Sequence, residues 1–484
     1  MQSLINQILP QLQSRIASPM FNKAHAIEWL QHGYGLQSSV SLSTAKRLDS
    51  ALEKFTIEIS GLTFPASSGK DDVPTYQVIL SKLKRVRFKD CTFDCDRLEL
   101  PGVTQWFESC HFSAGWSVSC IGCNHGYTEQ GDSLFEDCTF QGSVSIHQPG
   151  VDADSLGQYS GLFWECSAKS LMLSCVNLHT RLWYTSAPPW ENKQYLDELV
   201  IINTNATWPI ELSHQTISTI HVDSCTLAGF DCSGVKADKL SISDTELNGS
   251  VNLGMAGVKS LTFMDATFTR PVNCGDAKIG SFVVLRSDFE KVLACGSAAI
   301  EDDIRLSSVR YAVAPDFLDL ALTEQAKAAV DREAFRLIKH SFEAVANRIE
   351  ANRFFGLEME AYRRELEQQE PWYGRERLLV GFNHSVSRHG QSYTQPLVLL
   401  LLTAAINAWL VVKNGWQLPE GLVNETVQAN ILAVGDALNN FAKGFTLARP
   451  VMHTNMEFAS LVLALLMSTF LWHFLVAVRR FRRG

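Results

Sequence analysis

The middle of the chain repeats itself, and that repeat limits the fold more than any other feature. Between residues 53 and 310, alternating apolar residues lead into a small polar pair and then Leu or Phe. The pattern reads FTIEISGLTF from Phe55, VRFKDCTF from Val86 and LFEDCTF from Leu134. It returns as LVIINTNA from Leu199, TIHVDSCTL from Thr219, KLSISDTEL from Lys239, SLTFMDATF from Ser260 and SFVVLRSDF from Ser281, then fades at DIRLSSV from Asp303. In the second half the matched small residues are Thr204, Cys225, Thr245, Ala266, Ser287 and Ser308, spaced 20 or 21 apart; in the first half Cys91, Cys110, Cys138 and Cys166 drift. A second element sits midway in the unit, as in GFDCSG from Gly229, GSVNLG from Gly249 and RPVNCGD from Arg270. Short alternating runs bounded by Gly, Asp, Asn and Ser are strands and turns. They are too short for independent hairpins, and no helical pattern separates them, so a constant period near ~20 points to a solenoid. The expected fold is a right-handed parallel β-helix over 51–312, each coil stacked on the last and filled by Leu, Val, Ile, Phe and small side chains.

Asp90–Phe93 and Asp137–Phe140 read Asp-Cys-Thr-Phe, and Asp265–Phe268 reads Asp-Ala-Thr-Phe. These tetrads resemble the pentapeptide-repeat family. The resemblance implies that the small residue and the Leu or Phe point inward and that four five-residue units close one coil. Only fragments of each coil follow that rule, so the chain resembles a degenerate member with insertions near 180–189.

Chemistry on the solenoid is sparse. Asp244, Glu246 and Asp265 recur at strand-to-turn boundaries, where acidic residues serve the turn rather than a carboxylate pair. Cys120-Ile-Gly-Cys123 followed by His125 suggests zinc, but no second ligand pair stands at the usual spacing. All 12 cysteines fall between Cys91 and Cys295, and the first residues, MQSLINQILPQLQSRI, lack the basic and apolar regions of an export signal. The expectation is a reduced compartment with cysteines acting as small buried side chains. A net charge of -9 argues against a nucleic-acid polycation. No catalytic residue, cofactor or metal is expected, and the chain reads as a non-enzyme.

A short helical or cap segment is expected over 1–50. Beyond Tyr311 the alternation stops, and Pro315–Asp316 opens a helical neck over 313–390. One apolar face runs Phe335, Ile338, Phe342, Val345 and Ile349; a second runs Phe355, Met359, Tyr362 and Leu366, with Glu358, Glu360, Arg363, Arg364 and Glu365 between. The two helices are expected to cap the open end of the solenoid, where a bare strand edge invites aggregation.

The last part, 391–484, carries two long apolar runs at 393–412 and 458–478, near the roughly 20 residues that cross a bilayer. Arg375, Arg377 and Arg388 precede the first, and Arg479, Arg480, Arg482 and Arg483 follow the second. By the positive-inside rule both ends face the cytoplasm. Within the runs the polar residues Asn407, Ser468, Thr469 and His473 stand out; each is a candidate pore residue or, more simply, a helix-packing one. The intervening loop predicts an amphipathic helix over 424–445, with Val427, Ile431, Val434, Leu438, Phe441 and Phe445 on one stripe and Asn439 and Asn440 on the polar side. That helix either lines a pore or lies flat at the interface. No TVGYG-like filter is present.

AFRLIKHSFEAVANRIEANRFFGLEMEAYRREL from Ala334, FNHSVSRHGQSYTQPLVLLL from Phe382 and HFLVAVRRFRR from His473 resemble bacterial membrane proteins that join a pentapeptide-like region to two C-terminal spans. That likeness implies an inner-membrane, multi-pass protein, channel-like or acting in stress or phage defence. The combined expectation is a homo-oligomer in the lipid bilayer. Its cytosolic solenoid binds a protein partner or signal, and its hairpin opens the membrane; the alternative is an anchored scaffold.

Overall fold

The structure is a computed structural model that describes residues 2–15, 55–66, 75–98, 100, 103–119, 133–147, 161–178, 181–184, 196–412, 434–440 and 456–482. Its contacts divide into two units, Met1–Ala329 and Val330–Gly484.

In the first unit the strands pair in parallel, coil upon coil. They form four sheets. One of six strands runs from Ile57–Ser60 to Arg181–Tyr184, and one of 13 takes in Thr63–Phe64 through Ala321–Leu322. One of seven runs from Asn177–Leu178 to Arg310–Tyr311, and one of five from Ile210–Glu211 to Leu293–Ala294. This is the pairing of a parallel β-solenoid. Because the pleat has a period of two, equivalent apolar residues stack in columns. Ile220 pairs with Leu240, Leu240 with Leu261, Leu261 with Phe282 and Phe282 with Ile304, and all five are buried. The parallel pairing continues past Tyr311, to Ala321–Leu322.

The repeat read from the sequence is in fact two different corner columns. Cys91, Cys110, Cys138 and Cys166 sit between the six-stranded and the 13-stranded sheet; Thr204, Cys225, Thr245, Ala266 and Ser287 sit between the 13-stranded and the seven-stranded sheet. Each follows a residue with a left-handed backbone: Asp90, Ser109, Asp137 and Glu165 in the first column, and Asn203, Ser224, Asp244, Asp265 and Arg286 in the second. Short polar side chains tolerate that conformation best, which is why Asp, Asn and Ser dominate the corners. Ser308 does not belong among the inward small residues. It is itself a corner residue, with φ 54°, and the half-buried Val309 takes the next position, the equivalent of Ser287. The cause is an extra residue in Ala299–Ser307: Ile279 pairs with Ile300, but Ser281 pairs with Asp303. A bulge of this kind shifts every later position by one.

Aromatic rings form two ladders in the first coils. Phe64, Phe93, Phe112 and Phe140 stack at centroid distances of 4.8, 4.9 and 4.4 Å. Phe88, Phe107, Phe135 and Phe163 stack at 5.2, 5.0 and 5.2 Å. Each pair adds about 0.5–1.5 kcal/mol beyond the area it buries. The described cysteines are free thiols. Cys91, Cys110 and Cys138 each donate to two backbone carbonyls. Burial pushes the Cys138 thiol up, so it stays protonated.

Helices close the unit at each end. Helix α1 (Gln2–Arg15) buries Leu4, Ile5, Ile8, Leu9 and Leu12 and lies along the first strand, Ile57–Ser60. Gln7 and Gln11, one turn apart, satisfy that strand's outer edge. The Gln7 amide donates to the Ser60 carbonyl at 2.7 Å and accepts its N–H at 2.9 Å. Gln11 does the same for Glu58 at 2.6 and 3.0 Å. Helix α2 (Thr75–Leu80) buries Ile79 and Leu80. At the far end α3 (Glu324–Ala329) packs on Ala299–Ser307 through buried Ala326, with the Thr323 hydroxyl accepting the Ala326 N–H at 3.0 Å.

The second unit is helical. Asp331 caps α4 (Arg332–Ala344), and Asn347 caps α5 (Arg348–Gln369). The α4 face is shorter than its periodicity suggests. Phe335, Ile338 and Phe342 are buried, but the helix ends at Ala344, Ala346 turns left-handed, and Val345 and Ile349 are exposed. On α5 the buried stripe is Ala351, Phe354, Glu358, Ala361 and Leu366, so Phe354 is the ring that stacks on Phe342 of α4, while Phe355 is half-buried beside Lys339. The phase moves because the interface takes in a polar pair: Lys339 donates to Glu358 at 2.7 Å, with side chains only 14% and 7% exposed. Helices α6 (Arg375–Ser387), α7 (Thr394–Val412) and α8 (Glu457–Arg482) complete the unit, with a helical stretch at 434–440. Among the described residues one helix is long and apolar enough to cross a membrane, Glu457–Arg479; Thr394–Leu410 is a shorter apolar helix.

Candidate functional site

Helices α7 and α8 pack on each other, and α6 touches both. Thr403 and Leu410 on α7 and Ser460, Leu461, Phe470 and Ala477 on α8 are buried. The remaining surface is apolar: Val398, Leu401, Leu402 and Trp409 on α7, and Leu465, Leu471, Trp472 and Leu475 on α8, are exposed. A water-facing helix pair would carry charge there.

The polar residues expected to matter take separate places. Asn407 is half-buried on α7, Ser468 is exposed on α8, and Thr469 is half-buried. The Thr469 hydroxyl donates to the Leu465 carbonyl one turn back at 2.8 Å, and Thr403 does the same to Leu399 at 2.7 Å. Such back-bonds satisfy a hydroxyl inside an apolar helix without a partner helix. His473 Nδ1 lies 3.3 Å from the Ser387 hydroxyl, and its ring sits 6.3 Å from that of Phe382, so this histidine joins α8 to α6. The Asn439 side chain accepts the N–H of Phe458 at 3.1 Å, at the start of α8. Asn440 is exposed in the same stretch. Thus the structure pairs His473 with α6 and Asn439 with α8.

Of the loop helix expected over 424–445, residues 434–440 are helical, and Val434 and Leu438 are exposed. Val427, Ile431, Phe441 and Phe445 lie outside the described residues, as do Arg483, Cys120, Cys123 and His125. Arg479 is exposed at the end of α8, whose backbone carries on through Arg480 to Arg482.

Three features were not singled out from the sequence. Glu457 is buried in the first turn of α8, where the helix dipole favours a carboxylate. Lys339 and Glu358 form the buried pair described above. Glu360 on α5 meets His384 on α6 and His389 just beyond it, with one donor atom from each lying within 4.8 Å of the other two. Arg363 donates to Glu360 at 2.6 and 3.2 Å and holds its carboxyl below the usual range. Glu360 stood out only as one charge among several on α5, and the two histidines five residues apart fit no ligand motif on a single helix.

Comparisons of the chain with protein-family models, with curated proteins and with solved structures found no match.

Proposed function

We propose that this chain is a membrane protein whose solenoid acts on the cytoplasmic side of a bacterial inner membrane and whose α7 and α8 both span it. In this reading the solenoid is a closed, right-handed, pentapeptide-like β-helix that binds a protein partner or senses a signal. The helix pair transmits that event as a channel or as a membrane-permeabilising device, and two helices per chain require several copies to enclose a path. No reaction is assigned to it.

One observation carries the proposal: the apolar outward faces of α7 and α8, Val398 to Trp409 and Leu465 to Leu475. A bilayer is the solvent that such a surface fits. The arginines at 375, 377 and 388 and at 479, 480, 482 and 483 favour this orientation.

The test is reconstitution of the full chain in liposomes loaded with a self-quenched dye, beside a chain whose α7–α8 segment is replaced by an unrelated two-span anchor. Leakage or single-channel steps with the native pair, lost in the replacement, are expected. An intact dye load under every condition refutes permeabilisation. If the replaced chain also keeps its cellular activity, the solenoid is an anchored scaffold.

A further inference from the structure

We propose that Glu360, His384 and His389 form a binding site for one divalent transition-metal ion, which ties helix α5 to the turn that leads into α7. The site lies within the second unit and stands whether or not the membrane helices conduct.

The geometry begins at the end of α6. Arg388, His389 and Gly390 all adopt the left-handed backbone, with φ 46, 57 and 80°. Three such residues in a row turn the chain back sharply, and a non-glycine residue adopts this conformation only at a cost. The turn buries His389, which is 4% exposed, and brings its ring to 5.4 Å from that of His384. Gln391 then donates to the Asn352 carbonyl of α5 at 2.7 Å. Gly356 permits this approach, because a Cβ there would lie 2.9 Å from the Gln391 side chain. The turn is thereby held against α5, with Glu360 facing the two histidines.

The donors have the right identity, lie within 4.8 Å of one another, and in one pair already have a metal site's spacing. Two imidazoles and one carboxylate suit Zn²⁺, Fe²⁺, Co²⁺ or Ni²⁺ better than Mg²⁺ or Ca²⁺. Metal–ligand bonds of about 2.0–2.1 Å in a tetrahedron place neighbouring ligand atoms roughly 3.3–3.4 Å apart. His384 Nδ1 lies 3.4 Å from Glu360 Oε2. That nitrogen is buried and makes no hydrogen bond. Arg363 already balances the Glu360 carboxylate. With an ion present, Oε1 keeps Arg363 Nη2 while Oε2 turns to the metal. Three protein ligands leave one coordination position open for water or a further ligand.

The experiment uses the full chain in detergent, stripped with a chelator and titrated with Co²⁺ and then Zn²⁺. One ion per chain is expected, with a ligand-field spectrum of nitrogen and oxygen donors and no thiolate charge-transfer band. H384A and H389A should each weaken binding by at least ~10- to 100-fold, the loss seen even for outer-shell partners. E360Q, which keeps the side-chain shape, should weaken it as well. C120S/C123S should bind like the parent. Two results overturn the proposal: a stripped parent chain that takes up no metal at micromolar concentrations, or a thiolate spectrum that C120S/C123S abolishes. E360Q keeps the test decisive even if a histidine variant fails to fold: a folded E360Q chain that binds like the parent also overturns the proposal.

Discussion

Removing the two glutamines of α1 should open the first edge of the solenoid without disturbing its core. In Gln7→Ala/Gln11→Ala, four hydrogen bonds disappear, those between the side-chain amides and the N–H and C=O of Glu58 and Ser60. Each contributes about 0.5–1.5 kcal/mol net, giving roughly 2–6 kcal/mol in all. Glu58 and Ser60 are exposed, so water replaces most of what is lost. The low end, about 2 kcal/mol, is therefore expected. The assay is amide hydrogen exchange read at Glu58 and Ser60. A loss of 2 kcal/mol speeds exchange roughly 30-fold at those two amides, while amides in Thr219–Asp223 stay protected. Ile8→Ala is the contrasting variant: it removes a fully buried side chain and should detach α1 as a whole. Unchanged exchange at Glu58 and Ser60 in the double variant would refute the reasoning, since it would mean that apolar packing alone seals the edge. Loss of the seal should also promote end-to-end association, because an unpaired strand edge is a template for another chain; light scattering measures that directly.

Three further outcomes follow from the packing. Phe112→Ala, which removes the ring stacked between Phe93 and Phe140, should cost about 3–5 kcal/mol in urea unfolding of the solenoid. Lys339→Met strands the buried Glu358 carboxylate and should destabilise the α4–α5 pair by about 3–5 kcal/mol, whereas Lys339→Met/Glu358→Leu should recover most of it in thermal melts. Burial raises the thiols of Cys138 and Cys232 above their ordinary value of 9.0, so the folded chain keeps protons that the unfolded chain releases. Their contribution is complete below pH ~9 and falls above it by up to about 1.4 kcal/mol per pH unit for each thiol; melting temperatures from pH 7 to 10.5 that stay level past pH 9 would refute it.

The alternation within each coil was legible because inward and outward side chains differ in kind: Leu199, Ile220, Leu240, Leu261 and Phe282 mark the core face directly. The identity of the corners was not. Cys110 and Cys225 look equivalent in sequence because both follow a left-handed residue, yet they belong to corners between different sheets. Nothing local tells two corners of a coil apart. The misplacement of Ser308 has a similar origin, since one bulged residue leaves the composition unchanged and moves the register. On α5 the apolar phase misled because Glu358 occupies a buried position that only its partner Lys339, on another helix, makes tolerable. The Glu360–His384–His389 cluster was invisible for the same reason: two ligands straddle a helix end and the third comes from a different helix. Of the polar residues in the apolar runs, the sequence located the residues but not their neighbours. His473 pairs across to Ser387, and Asn439 reaches the start of α8.

The pairing of each strand with its counterpart one coil earlier has a kinetic side. Thr219 pairs with Lys239, Lys239 with Ser260 and Ser260 with Ser281, so each new coil needs only the one before it as a template. Loop closure between strands this close in sequence is cheap, and contacts of this range favour growth by successive addition. A ribosome would therefore release a surface already able to accept the next coil. The solenoid can be built in step with synthesis, before the apolar helices α7 and α8 leave the exit tunnel.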